Sequence, residues 1–469
     1  MKRQSGAIPR SRHLTDRKIM SAPARAGTRT SGPSLRKLVF ASFFGTALEW
    51  YDFFIYATAA ALVFPAVFFP TSSETTSLLA AFATFGAGFV ARPLGGAVFG
   101  HFGDRVGRKA MLVFSLVGMG VATTLIGVLP TYEQIGVAAP ILLVLIRLVQ
   151  GFSVGGESSG AILIGIEHGP QSKKGLFGSF SQAGLPVGTL LSAVVFLVMN
   201  KITTPEQFNS WGWRVPFLIS AALIVVGLII RRSIDESPAF EEIKAQRMDT
   251  RAPFVVLIRT KWRVLALAIG SFMAPQILGY VAVSYGLSYG TKTLGYSRET
   301  MLALQVLASV SAFIVIPASA ALSDRIGRLR VILGALGICL LASLAFFPLL
   351  EAGTFLSLSA AYVFMLAATG ATSGPQAALF SELFDTSIRY SGLSFVVNIG
   401  SILGGGFAPF IATALYAAYG GSIPITLYMV AATIVSLVSV GVLAIWFRPS
   451  SDVEGEKGHL HSRNTSVAT

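Results

Sequence analysis

The chain has 469 residues, of which 53% are apolar and 12% are charged, against the roughly 25% charged of an ordinary soluble domain. With a mean hydropathy of +0.69 and recurring apolar runs of about 18 residues or more, it reads as a polytopic helical membrane protein, which excludes a soluble enzyme or a secreted domain. The formal net charge of +14 raises nucleic acid as a partner, but the basic residues are sorted by loop.

They crowd into residues 1–37, 101–110, 231–263 and 323–330, while the intervening loops hold Lys201, Lys292 and Arg298. That is the positive-inside alternation, so no nucleic-acid partner is expected, and both termini and the long middle loop are assigned to the cytoplasm. The single cysteine, Cys339, and five histidines provide neither a disulfide framework nor metal-ligand spacing, so no metal and no cofactor are expected.

In chain order, residues 1–37 are rich in Arg, Ser, Pro and Gly without apolar periodicity, which predicts a disordered basic tail rather than a signal peptide. Twelve transmembrane spans follow, at 38–66, 78–100, 111–130, 139–166, 176–199, 214–232, 263–289, 300–322, 330–350, 354–381, 391–417 and 423–447. The fold class is an all-α membrane protein. A six-helix half at 38–232, a cytoplasmic loop at 233–262, a second six-helix half at 263–447 and a tail at 448–469 complete it.

The halves echo one another. Gly103-Asp104-Arg105-Val106-Gly107-Arg108 follows the second span and Ser323-Asp324-Arg325-Ile326-Gly327-Arg328 the eighth, while Glu167 ends the fourth and Glu382 the tenth. Two landmarks at nearly one spacing argue for an internal duplication, the layout of a secondary transporter with its site between pseudo-symmetric halves.

Charges inside spans are expensive and mark candidate sites. The first span carries Glu49 and Asp52, and a separation of three puts both carboxylates on one helix face. At least one of two like charges so close is expected to titrate. The second span carries Arg92, and the fourth Arg147, Gln150 and Glu157. Arg147 with Asp52 reads as a functional, titrating pair, the bland alternative being a structural one, and Glu49 and Glu157 join them as proton-coupling candidates. Arg92 offers a bidentate fork to a substrate carboxylate; its alternative is a structural pair with Glu49 or Glu157.

Tyr51 is singled out because it neighbours Asp52, whereas Trp50, Phe53, Phe54 and Tyr56 read as packing residues. Arg214, opening the sixth span, reads as an interfacial anchor. The second half contributes polar groups, of which Gln276, Gln376 and Asn398 complete the substrate-binding set. Glycines four apart, Gly151 with Gly155, Gly184 with Gly188 and Gly400 with Gly404, predict close helix approach. Gly404-Gly405-Gly406 followed by Pro409 predicts a loosened eleventh span.

The segment Gly100-His101-Phe102-Gly103-Asp104-Arg105-Val106-Gly107-Arg108-Lys109 resembles the loop signature of the major facilitator superfamily, echoed at 323–328. Leu48-Glu49-Trp50-Tyr51-Asp52-Phe53-Phe54, Ala91-Arg92-Pro93, Arg147 through Glu157, Trp211 through Phe217 and Asp235 through Phe240 together resemble the metabolite:proton symporter family, over about residues 36–447. The resemblance implies the major facilitator fold and a proton-driven importer of small organic acids or zwitterions in a bacterial inner membrane. The segments Gly374-Pro375-Gln376 and Arg389-Tyr390-Ser391-Gly392 look closer to its shikimate-like branch. In one departure, Ser158 and Ser159 follow Glu157 where the family commonly has a Trp and a Gly, which changes the volume and polarity beside the implied cavity.

The expected function is therefore proton-coupled symport of a small organic acid by alternating access, with the bilayer, protons and a small molecule as partners and a monomer as the working unit. Proton-independent uniport or exchange, and symport of a zwitterionic osmolyte, are the rivals. A membrane enzyme is disfavoured because no nucleophile with a base appears, and a sensor because no output domain does. Gly103, Asp104, Arg105, Gly107, Arg108 and Glu167, with Asp324, Arg325, Arg328 and Glu382, are expected to form cytoplasmic gating clusters that stabilise an outward-open state.

Overall fold

A bilayer offers backbone polar groups no water, so each apolar run must close its hydrogen bonds internally as a helix. A computed structural model describes residues 35–70, 73–106, 108–155, 165–166, 169–232, 253–385 and 388–446, and every regular element among them is helical. The first half comprises α1 (Leu35–Leu62), α2 (Glu74–Val106), α3 (Arg108–Val128), α4 (Ala138–Val154), α5 (Lys174–Ile202) and α6 (Val215–Arg232). The second comprises α7 (Pro253–Tyr280), α8 (Arg298–Ile326), α9 (Arg328–Glu351), α10 (Phe355–Leu383), α11 (Arg389–Tyr419) and α12 (Ile423–Trp446).

Nine of these are long and apolar enough to cross a membrane, and α3 and α4 are shorter apolar helices. With the 28 residues of α1 they make up the twelve expected spans. Large side chains such as Phe114, Leu341 and Val438 are exposed on the outside of the bundle, as a lipid-facing surface requires.

Glycines set the helix spacing where the sequence placed them. A Cβ on Gly151 would collide with the Gly88 carbonyl and one on Gly155 with that of Arg92, so α2 and α4 pack backbone to backbone beside Arg92. A Cβ on Gly188 would lie 2.6 Å from the amide nitrogen of Tyr51, which brings α5 equally close to α1.

Two boundaries differ from the hydropathy reading. The second helix runs from Glu74 to Val106, because an acidic first turn and a polar last turn remain helical beyond the apolar window. The seventh begins at Pro253 and kinks at Lys261 (φ −124°, ψ 20°), since Arg259, Lys261 and Arg263 mask a helical turn that hydropathy cannot see.

Helix geometry departs from α in three places. Residues Val281–Tyr285 and Tyr289–Thr293 after α7, and Ile402–Gly406 within α11, are π-helical. The last contains the triple glycine, so the loosening expected there takes the form of a π-bulge, a feature frequent at functional sites. Pro275 in α7 lacks an N–H and leaves the carbonyl of Ser271 without its helical donor. Gln376 Nε2 of α10 donates to that carbonyl at 3.0 Å. Likewise Gln305 Nε2 of α8 donates to the Val283 carbonyl in the first π stretch at 2.6 Å.

Candidate functional site

A cavity of about 90 Å³ lies between the halves, with walls from α1, α2 and α5 on one side and α7, α8, α10 and α11 on the other. At roughly 10–15 Å³ per water position, it has room for several waters or one small solute. Among the described residues, Glu49 and Arg92 are the charged groups in its lining, accompanied by Thr46, Gln182, Thr189, Gln276, Tyr280, Thr369 and Ser401. Arg92 is 1% exposed, and its Nε and Nη2 have no hydrogen-bond partner within the described protein. Those two donors form one edge of the guanidinium, the fork that matches the two oxygens of a carboxylate.

A second charged site sits behind this one, inside the first half. Arg147 Nη1 donates to Gln150 Oε1 at 2.6 Å, Gln150 Nε2 donates to Thr123 Oγ1 at 2.7 Å, and Thr123 Oγ1 donates to Asp52 Oδ2 at 3.1 Å. Ser220 Oγ of α6 donates to the other Asp52 oxygen at 2.6 Å. Arg147, Gln150 and Asp52 are all buried and none lines the cavity. Room for the Arg147 head comes from Gly88, where a Cβ would lie 2.6 Å from Arg147 Nε.

Aromatic rings separate the two sites. The Arg92 guanidinium carbon lies 4.0 Å from the Phe53 ring centroid and 4.6 Å from that of Phe89. The Arg147 carbon lies 4.5 Å from the same Phe53 centroid and 4.1 Å from that of Tyr56.

The two carboxylates of α1 thus part company. Three residues leave an offset of about 60° around a helix, enough for Glu49 to line the cavity while Asp52 turns toward α3 and α6. Among the proposed substrate ligands, Arg92 and Gln276 line the cavity. Tyr51 faces away and donates to the Pro216 carbonyl of α6 at 2.8 Å, and Gln150 belongs to the relay. Gln376 donates to the Ser271 carbonyl that Pro275 leaves without its helical donor, and Asn398 donates to the Ser394 carbonyl of its own helix at 2.9 Å. Arg214 Nη1 donates to the carbonyls of Gly127 and Leu129 at 3.0 and 2.7 Å, tying down the end of α3. Sequence reasoning missed Thr123, Ser220 and Phe53, which look like ordinary residues of apolar helices.

The halves are bridged at both ends. At the end where α1 begins and α12 finishes, Asp324 of α8 accepts from the backbone N–H groups of Gly175 and Leu176 at 2.9 and 3.0 Å, capping the first turn of α5. Arg328 pairs with Asp324 and reaches Glu382 at 3.3 Å, while Arg325 is exposed. Gly327 joins α8 to α9 with φ of 100°, a conformation that suits glycine. At the opposite end Lys201 of α5 pairs with Glu299 of α8 at 2.9 Å, and Lys292 pairs with Glu74 of α2 at 3.3 Å. Gly107, Glu157, Ser158, Ser159 and Glu167, and the side-chain surroundings of Gly103, Asp104, Arg105 and Arg108, lie outside the described residues.

A family model described as Major Facilitator Superfamily matches residues 42–405. The chain is 44% identical over 393 residues to the inner membrane metabolite transport protein YhjE of Escherichia coli (strain K12), across 82% of this chain and 89% of that protein. It is 40% identical to the shikimate transporter of the same organism, across 86% and 93% of the two chains, and 34% identical to its proline/betaine transporter, across 91% and 87%. Among solved structures, a D-xylose-proton symporter superposes with a TM-score of 0.68 at 19% identity, covering 89% of this chain and 98% of that one. At that identity the likeness is one of fold.

Proposed function

The chain belongs to the major facilitator superfamily and, within it, to the metabolite transporters, which are not enzymes, and from that premise we propose that it couples import of a small organic acid to a proton. The observation that carries this reading is the buried Nε/Nη2 edge of Arg92 in a cavity shared by both halves. A carboxylate there gains two charge-assisted hydrogen bonds and neutralises a cation that otherwise lacks those partners. The resting place is a bacterial inner membrane with both termini in the cytoplasm, in keeping with the loop charges and with the name of the relative at 44% identity.

In this account Asp52 carries the proton. Its carboxyl is shut away from the cavity and held by two hydroxyls, and its link to Arg147 runs through Thr123 and Gln150. Ionised Asp52 attracts Arg147 and protonated Asp52 releases it, so the relay has two arrangements that a proton selects. Asp324, Arg328 and Glu382 form the cytoplasmic latch and the Lys201–Glu299 and Lys292–Glu74 pairs the outer one.

The experiment is uptake of labelled shikimate, α-ketoglutarate, citrate and proline betaine into proteoliposomes with an acidified exterior. Concentrative, protonophore-sensitive uptake of an acid, with its KM raised in Arg92→Lys, supports the reading, and equilibration indifferent to pH refutes it in favour of uniport or exchange. One observation favours a second reading, symport of a zwitterion: Glu49 shares the cavity with Arg92. Glu49→Gln decides between them, since it weakens binding of a ligand with a cationic group and strengthens binding of a plain anion.

A further inference from the structure

Two guanidiniums that repel each other lie against one phenyl ring. Phe53 is 0% exposed, with Arg92 carbon 4.0 Å and Arg147 carbon 4.5 Å from its centroid. Phe89 and Trp50 meet the ring edge-on at 5.3 and 6.1 Å and fix its plane. One of the two cations lines the cavity and the other leads to Asp52. Phe53 itself is not part of the cavity lining and takes no part in the hydrogen-bond relay to Asp52.

We propose that Phe53 is a positioning residue that couples the two sites, transmitting occupancy of Arg92 by an anion to the proton site at Asp52. The inference rests on the symport reading above. An aromatic face attracts a guanidinium through the ring quadrupole, a contact worth about two- to thirty-fold in equilibrium terms. An anion on the open edge of Arg92 cancels much of its charge and draws it toward the cavity, which weakens its hold on the ring. The ring is then left to Arg147, and the positive field of Arg92 at the inner site falls.

A weaker positive field makes a proton easier to keep on Asp52. Anion and proton therefore favour one another, and by linkage the factor is the same in both directions. The size of that factor depends on how near the two guanidiniums are held, and the shared ring sets that spacing. Among the described residues, the charged or titratable groups that face Asp52 or the two arginines are Glu49, Tyr51 and Tyr56 on α1, Arg147 on α4, Arg92 on α2 and Tyr280 on α7, while α3 and α6 present the hydroxyls of Thr123 and Ser220.

The test compares wild type with Phe53→Met, which keeps an apolar side chain of similar size without an aromatic face, and with Phe53→Tyr, which keeps the face. Phe64→Leu, in the aromatic cluster with Trp213 and Phe217, is the packing control. The readouts are the pH dependence of substrate affinity and the number of protons entering per substrate. Phe53→Met is expected to retain substrate exchange, to flatten the pH dependence of affinity by about tenfold, and to move fewer protons per substrate; Phe53→Tyr and Phe64→Leu are expected to keep the wild-type ratio.

Wild-type coupling in Phe53→Met, or an equal loss of coupling in Phe64→Leu, overturns the inference while leaving the symport reading intact. If Phe53→Met does not fold, an altered coupling ratio in Phe53→Tyr overturns it and an unaltered one supports it. A wild type whose uptake ignores the pH gradient overturns both the inference and the symport reading.

Discussion

Arg147 reaches Asp52 through two intervening side chains and not by contact: Gln150 takes a hydrogen bond from the guanidinium at 2.6 Å, and Thr123 gives one to the carboxylate at 3.1 Å. A direct pair in low dielectric would lock both charges, with one partner costly to remove. An indirect pair leaves Asp52 able to change protonation, and Arg147 feels that change through Thr123 and Gln150.

Thr123→Val is the sharpest probe of that relay. It removes the acceptor of Gln150 and a donor to Asp52 while keeping the side-chain shape, and an unsatisfied buried polar group costs about 1–3 kcal/mol. Proton-driven uptake is expected to fall by roughly tenfold or more, with substrate exchange at equal pH far less affected. Initial rates under the two conditions check it.

At the cavity, Arg92→Lys keeps the charge and loses the fork. The expected result is a rise in KM of about tenfold, the worth of one charge-assisted hydrogen bond of ~1.5 kcal/mol, with a smaller change in maximal rate. Titration of the purified protein with the transported acid measures the same loss without transport.

The proposed cytoplasmic latch is tested at Asp324→Asn, which keeps the shape and weakens the cap on Gly175 and Leu176. Transport is expected to slow while affinity stays within about threefold, since a helix cap of this kind is worth ~1 kcal/mol. The single native cysteine, Cys339, is buried. A cysteine placed at Ser373 in the cavity wall therefore reports opening, and its labelling by an impermeant thiol reagent from the cytoplasmic side is expected to rise in the variant.

Gln376→Leu is expected to act on stability rather than on binding. It strips the Ser271 carbonyl of the donor that replaces the one lost at Pro275, at about 1–3 kcal/mol. A lower melting temperature in detergent with an unchanged KM is the expected outcome, and a KM raised without loss of stability would return Gln376 to the substrate site.

The twelve helices and their order were legible because hydrophobic length is nearly sufficient to specify a membrane helix. Arg92, Arg147, Glu49 and Asp52 stood out because a charge within a span is costly and is rarely kept there without a partner or a role. Direction was not legible: Glu49 and Asp52 share a stretch of helix, yet one faces the cavity and the other the interior of its own half. Tyr51 drew attention as a neighbour of Asp52 in sequence, but adjacent residues on a helix point about 100° apart, and it bonds to α6 instead. Thr123 and Ser220 carried no signal and Phe53 read only as packing, because an aromatic or hydroxyl side chain in an apolar helix acquires its role from what two other helices bring to it.

The measurement closest to the central claim is substrate accumulation by proteoliposomes under an inward proton gradient, for wild type and Asp52→Asn. Proton coupling through Asp52 gives accumulation above equilibrium in wild type, collapsed by a protonophore, and exchange without accumulation in the variant. Accumulation in Asp52→Asn equal to that of wild type would contradict it, as would wild-type uptake that a protonophore leaves unchanged.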